Sequence, residues 1–330
     1  FEAGLRWDYE HVSCRYRSDA DASYTVYKML DNGDREFYRT TDVSIHDNGR
    51  LSQDFNELLP KVSVTYRFSS GEVYANFAEG YKSGGFNTQM FSDVLQQRVM
   101  ETMGLSMPYK VSDIVTYKPE ESLNYEIGGR CDLADGRVRM SATAFLISCC
   151  NQQLTVFPPG LVTGRIMTNA GRTRSAGFEF SATLRPLSGL TFITNYGYTN
   201  AVFRTYNNGR ADFRGKRVPY APAHTLFVSG QYDLPFDVFG WRPTLAAHVR
   251  AAGDIYWNEE NSLSQPFYAV AGASLTFARN PWSLKLWGEN ITDTHYDTFY
   301  FMSMGNSFTQ RGVPATWGVT LRLSLDTAAK

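Results

Sequence analysis

Five cationic side chains crowd into FRTYNNGRADFRGKR (203–217): Arg204, Arg210, Arg214, Lys216 and Arg217, against the one carboxylate of Asp212. Such a cluster attracts anions, whether an anionic small molecule or phosphate groups, and a plain solvated loop is the blander reading. A second group is Tyr81, Lys82, Gly84, Gly85 and Phe86 in the stretch YKSGGF. Its rings offer flat faces to an aromatic or chelating ligand, and its paired glycines permit a sharp backbone excursion. The same six residues could instead serve architecture alone. A third group is aromatic, Phe299, Tyr300 and Phe301 with Phe308 nearby. Met90, Met100, Met103 and Met107 could hold a soft metal such as Cu(I), although adaptable apolar packing is the commoner use of methionine. None of this is acid–base or nucleophilic chemistry. His11, His46, His224, His248 and His295 show no metal-ligand spacing, and no nucleophile stands beside a base. The expectation is a binding protein, not an enzyme, with no metal site or cofactor of its own.

These groups need a scaffold that brings distant segments together. Two-residue alternation runs through the whole chain, and helical periodicity is nearly absent. In the last segment Trp317, Val319, Leu321, Leu323 and Leu325 alternate with Thr316, Gly318, Thr320, Arg322 and Ser324. In another, Val62, Val64, Tyr66 and Phe68 alternate with Lys61, Ser63, Thr65 and Arg67. The pattern predicts about twelve strands, near 1–17, 57–68, 72–87, 118–133, 137–155, 166–187, 190–206, 217–234, 241–259, 266–279, 282–299 and 312–325. Their connections alternate between short (69–72, 134–137, 186–189, 235–240, 278–281) and long (18–56, 88–117, 156–165, 207–216, 260–265, 300–311).

Long strands with brief turns at one end and extended loops at the other predict an all-β fold, a transmembrane antiparallel up-and-down β-barrel. No run approaches the ~18 apolar residues of a membrane helix. Alternation explains how a membrane chain can have a mean hydropathy of only −0.33. Aromatic residues make up 15% of the chain. Trp7, Tyr81, Tyr125, Tyr196, Tyr198, Trp257, Trp282 and Trp317 fall near strand ends, where an interfacial belt would place them. A formal charge of −1 gives no reason to expect nucleic acid as a partner. The alternative is a soluble β-sandwich binding module, which would stay in solution without detergent.

The turn at 134–137 also tests the cysteines. It sets Cys131 opposite Met140 and Cys149 opposite Ser122, leaving the two thiols on the order of 30 Å apart at ~3.4 Å per residue. A disulfide needs Cα atoms within ~7 Å. Cys14, Cys131, Cys149 and Cys150 are therefore read as free thiols.

LPKVSVTYRFSSGEVYANFAEGYKSGGFN (59–87) resembles a hairpin of the TonB-dependent outer-membrane receptors of the siderophore-receptor type. Further similar stretches follow in that family's order: 117–154, 169–203, 215–234, LWGENITDTHYD (286–297) and GVPATWGVTLRLSL (312–325). The resemblance implies TonB-dependent uptake of a scarce nutrient, most naturally a ferric siderophore, across the outer membrane of a Gram-negative bacterium. The partners it implies are the TonB complex acting through a plug domain, outer-membrane lipid, lipopolysaccharide and a small-molecule ligand, with no nucleic acid. The three residue groups above would then line the extracellular mouth, with any iron arriving as part of the ligand. Chelates, cobalamin-like molecules and oligosaccharides all fit their composition.

Members of that family carry a plug and a barrel of about 22 strands. Residues 1–325 are accordingly read as the C-terminal portion of such a barrel, followed by a tail at 326–330, with no plug in the chain. FEAGLRW already reads as strand, and the expectation is a mature fragment without a signal peptide. The family usually ends on an aromatic residue, and this chain departs from that in DTAAK. A passive porin-like channel stays open as the alternative function.

Overall fold

The computed structural model describes the chain except residues 32, 104–109, 157–165, 209–210, 304–305 and 325–330. Twelve strands form one sheet in strict chain order. They are β1 (Glu2–Met29), β2 (Arg35–Phe68), β3 (Gly71–Lys82), β4 (Glu120–Leu133), β5 (Val138–Cys150) and β6 (Arg172–Leu187). The sheet continues with β7 (Leu190–Thr205), β8 (His224–Asp233), β9 (Arg242–Gly253), β10 (Tyr268–Arg279), β11 (Trp282–Glu289) and β12 (Thr316–Leu323). Every neighbouring pair is antiparallel. A meander in one sheet is the wall of a barrel; the two-sheet sandwich is overturned. The first and last strands are not paired with each other among the described residues.

The alternation read from sequence places the side chains. Tyr66 and Val64 stand outward at 69% and 52% exposure, as do Trp7, Tyr125 and Trp317. None of the described residues covers this apolar surface, and its solvent is lipid. The opposite face is polar and internally paired. Glu72 lies between Arg67 at 3.2 Å and Arg130 at 3.1 Å, and Glu289 lies between His248 at 3.1 Å and Arg250 at 3.5 Å. Tyr74 meets the Thr143 hydroxyl at 2.9 Å. Burying such a face in acyl chains would cost several kcal/mol per strand, so it must line the lumen. Cys131 is paired with Met140 and Cys149 with Ser122, and all four thiols are free.

Three expectations are corrected. Residues 18–56 are not a long loop. β1 and β2 pair from Glu2↔Ser63 to Met29↔Arg35, so the hairpin rises roughly 70 Å beyond the end of β3 at ~3.3 Å per residue. Its alternation is carried by small and polar residues, Ala20, Ala22 and Tyr24 against Asp19, Asp21 and Ser23, and is easily read as loop. Residues 300–311 also pair, as the hairpin Asp297–Ser303 with Asn306–Arg311. Trp257 is no interfacial ring; it is buried among the loops.

The base of the tall hairpin is buttressed. α1 (Phe91–Thr102) and α2 (Val111–Val115) bury Val94, Val111 and Val115 against Tyr16 and Leu51. Phe91 stacks on Tyr16 at 4.8 Å, and Arg98 reaches Asp47 at 3.1 Å.

Candidate functional site

The turns at 69–70, 134–137, 188–189, 234–241 and 280–281 lie at one end of the sheet, while the β1–β2 turn at 30–34 and the long connections lie at the other. There the long connections fold on one another into a platform.

The loop after β7 is a hairpin extension. Val202 bridges Arg217, the Phe203 N–H donates to the Lys216 carbonyl at 2.9 Å, and the Phe213 N–H donates to the Tyr206 carbonyl at 2.9 Å. Its inward side is a small core of Ala170, Ala201, Phe203, Tyr206, Phe213 and Val218, in which Phe203 is fully buried. The basic residues separate around that core. Arg214 is exposed and faces Asp212 at 3.8 Å, and Lys216 is exposed. Arg217 donates to the Thr199 carbonyl at 3.0 Å, and its backbone N–H donates to Asn261 at 2.6 Å, so it fastens two loops together. Arg204 sits at a bulge opposite Arg172. Arg210 lies outside the described residues.

The aromatic group is extended by Tyr220, which the sequence did not single out, and by Trp257, which it placed in the interfacial belt. Tyr220 stacks on Phe299 at 5.5 Å and meets Trp257 at 5.4 Å; Phe299 touches Phe301 at 5.7 Å, and Phe301 stacks on Phe308 at 5.0 Å. Tyr220 is the keystone of this run. Its hydroxyl donates to the Tyr300 carbonyl at 2.6 Å, its N–H donates to the Tyr256 carbonyl at 2.8 Å, and its φ is +62°. A bulky residue held in the left-handed region marks a position fixed by its surroundings. Pro219 and Pro222 on either side were the available signal.

Glu259 stands close to Tyr220 of this run. Burial raises its carboxyl above the ordinary value of 4.5, and Glu260 adds to the shift. Burial likewise pushes the Tyr206 hydroxyl up to about 12, with Glu259 and Glu260 contributing. A carboxyl whose folded pKa is raised stabilises the folded loop fully below its unfolded value, and that contribution is lost as pH climbs through the folded value. Amide hydrogen exchange across residues 254–265, normalised for intrinsic rates, should therefore speed up as pH rises above 4.5. Glu259→Gln should flatten that dependence; an unchanged slope in the variant would contradict the assignment.

The Tyr81–Phe86 group is built differently. Gly84 and Gly85 are buried against Tyr117. A β-carbon at Gly84 would come within 2.4 Å of the Tyr117 carbonyl oxygen and 3.0 Å of the Phe55 ring. Phe86 packs on the α1–α2 cluster, Lys82 is exposed, and the Tyr81 hydroxyl is shielded with no hydrogen-bond partner among the described residues. Three side-chain amides that sequence reading passed over clamp this segment. Gln153 donates to the Ser83 carbonyl at 2.7 Å, and Asn87 donates to the Met167 carbonyl at 2.7 Å. Asn169 donates to the carbonyls of Lys118 at 2.9 Å and Asn151 at 2.8 Å. Polar residues in loops look alike in sequence, so nothing marked these out. Gly84→Ala should cost about 1–3 kcal/mol of local stability by overpacking. The readout is faster protease cleavage within 83–119 on intact cells.

A lipid-facing meander with a polar lumen and a folded loop platform at one end defines the wall of an outer-membrane β-barrel receptor. Residues 1–291 match the family described as TonB dependent receptor-like, beta-barrel, and the chain belongs to that family. The pesticin receptor of Yersinia enterocolitica is 27% identical over 281 residues, 84% of this chain and 37% of that protein. The ferric-pyoverdine M114 receptor PbuA of Pseudomonas sp. (strain M114) is 27% identical over 208 residues, 61% of this chain and 24% of that protein. The crystal structure of the ferric yersiniabactin uptake receptor of Yersinia pestis superposes with a TM-score of 0.70 at 21% identity, over 97% of this chain and 42% of that one. At that identity the superposition speaks for the fold alone. The matched part spans between about a quarter and two fifths of the length of these receptors. Like its family, it is a protein of the Gram-negative outer membrane.

Proposed function

We propose that this chain forms wall and extracellular capture surface of a receptor that takes up a ferric siderophore in a TonB-dependent manner. The observation that carries the reading is the run Trp257–Tyr220–Phe299–Phe301–Phe308, built from three loops at the barrel mouth. Flat rings held in place suit an aromatic or chelated ligand at low ordering cost. The exposed Arg214 and Lys216 would draw an anionic chelate toward them. Relatives named as receptors for ferric pyoverdine point the same way. Energy would come from the TonB complex acting on a plug supplied by another part of the polypeptide. Iron is cargo in this reading, and the wall holds no cofactor of its own.

The test is radioactive-iron uptake by cells lacking the gene and complemented with it, fed single siderophores of catecholate, hydroxamate or mixed type. One siderophore should support uptake, and uptake should vanish when the TonB complex is removed. Transport that persists without TonB would make the protein a passive channel.

A further inference from the structure

The loop after β9 docks along the loop after β7. The Arg217 N–H donates to the Asn261 side chain at 2.6 Å, and the Asn261 amide returns a bond to the Arg217 carbonyl at 3.0 Å. Further along, the Tyr220 N–H donates to the Tyr256 carbonyl at 2.8 Å. The β9 loop is itself held in one shape. Its Asn258 side chain accepts from the N–H groups of Ser262 at 3.1 Å and Leu263 at 3.2 Å, and the Trp257 N–H donates to the Leu263 carbonyl at 2.9 Å. Glu259 rides on this fixed turn, half-buried, close to Tyr206 of the β7 loop and to Tyr220. Glu260 follows it and is exposed.

A carboxylate withdrawn from water is costly unless a cation accompanies it. Among the described residues no Lys, Arg or His pairs with Glu259 or Glu260. The bases of the β7 loop are engaged elsewhere: Arg217 donates to the Thr199 carbonyl at 3.0 Å, and Arg214 faces Asp212 at 3.8 Å. Burial holds the Glu259 carboxyl above its ordinary range, and Glu260 adds to this, as expected of a charge that lacks compensation. The rings favour the same remedy. Tyr220 meets Trp257 at 5.4 Å and Phe299 at 5.5 Å, and at 38% exposure it is reachable from the mouth. Aromatic faces carry negative potential, so rings and carboxylate both select a positive guest.

We propose that Glu259 is a specificity-determining residue of the mouth, where it receives an ammonium group of the chelate against the ring of Tyr220. The inference rests on the ferric-siderophore reading and narrows it to chelates that carry a free amine. Such an ammonium donates a charge-assisted hydrogen bond to a carboxylate with no other cation, in a site partly closed to water. Arg214 and Lys216 stand on the opposite arm of the β7 loop from Tyr206, whose carbonyl accepts the Phe213 N–H. A chelate with an anionic metal-binding end and a cationic arm is therefore oriented between them, its arm toward Glu259.

The test is radioactive-iron uptake by cells lacking the gene and complemented with the whole of it. Ferric catecholate, hydroxamate and mixed chelates are each supplied as twins, one ending in a primary amine and one with that amine acetylated. One pair should be taken up, the amine form half-saturating at a roughly tenfold lower concentration. Glu259→Gln should erase that difference while leaving the acetylated twin as in wild type, and Glu259→Asp should keep most of it. Equal uptake of the twins by wild type overturns the proposal and leaves the ferric-siderophore reading standing, as does a preference that survives Glu259→Gln. Uptake of no chelate in either form overturns both. Should the Gln variant fail to reach the cell surface, carbodiimide coupling of the amine twin to wild-type protein decides. The new amide should map to Glu259 by mass spectrometry, and its absence there overturns the assignment.

Discussion

Val64→Arg should lower the stability of the folded barrel by about 2–4 kcal/mol, whereas Thr65→Arg, one residue along, should change it little. The two positions share a strand, a depth and a backbone environment; only the face differs. Val64 is paired with Ala75 near the middle of the apolar stretch of β2, where the outward residues are Val62, Val64 and Tyr66. A guanidinium there meets acyl chains with no water within reach, and snorkelling would have to carry it past at least two further apolar side chains. Thr65 is paired with Tyr74, whose hydroxyl meets Thr143 on the lumen side. An added cation there joins Arg67, Glu72 and Arg130 in an aqueous network. Denaturant titration of the polypeptide folded into liposomes measures both. Equal costs at the two positions would mean that the faces have been assigned wrongly; a larger cost at Thr65 would mean that the sheet is inside out.

How much of this was legible in the residues follows from what each kind of pattern reports. Period-two alternation is a statement about two different solvents on two faces. Where lipid lies on one side and water on the other, as along β2 from Val62 to Phe68, the contrast is strong and strand and face are both readable. Above the membrane both faces meet water, the contrast fades, and the tall β1–β2 hairpin looked like loop. Register was readable where a turn fixed it: the pairing of Cys131 with Met140 and of Cys149 with Ser122 followed from one tight turn. The site was readable only in composition. Phe299, Phe301 and the basic loop could be picked out by type. Tyr220 and Trp257, which join them, depend on contacts between loops far apart in the chain. Residue type says that Arg204 is a cation; only the bulge opposite Arg172 says which way it points.

The distinction between wall and platform gives the second large effect. Phe203→Ala should cost about 3–5 kcal/mol, and that loss should fall on the platform while the barrel below it stays folded. Phe203 is fully buried, in contact with Tyr206 at 5.0 Å between ring centres, and Tyr206 in turn meets Phe213 at 5.2 Å. Removing the ring leaves a cavity in a core of six residues, too small to close over it. The strands below owe their stability to lipid, to cross-strand hydrogen bonds and to the lumen network; Phe203 joins the sheet through its backbone, opposite Thr173, and none of these depends on its ring. Loops with their own small cores open as local units. The expected outcome is fast hydrogen exchange across 203–218 with unchanged protection in β6 and β8. Ligand affinity should fall with it, because Arg217 in this loop is tied to Asn261 in the next, and through that loop to Trp257 beside Tyr220. A variant that loses protection in 203–218 yet binds ligand normally would place the capture surface elsewhere on the mouth, and one that loses protection in the strands would show that platform and wall fold as a single unit.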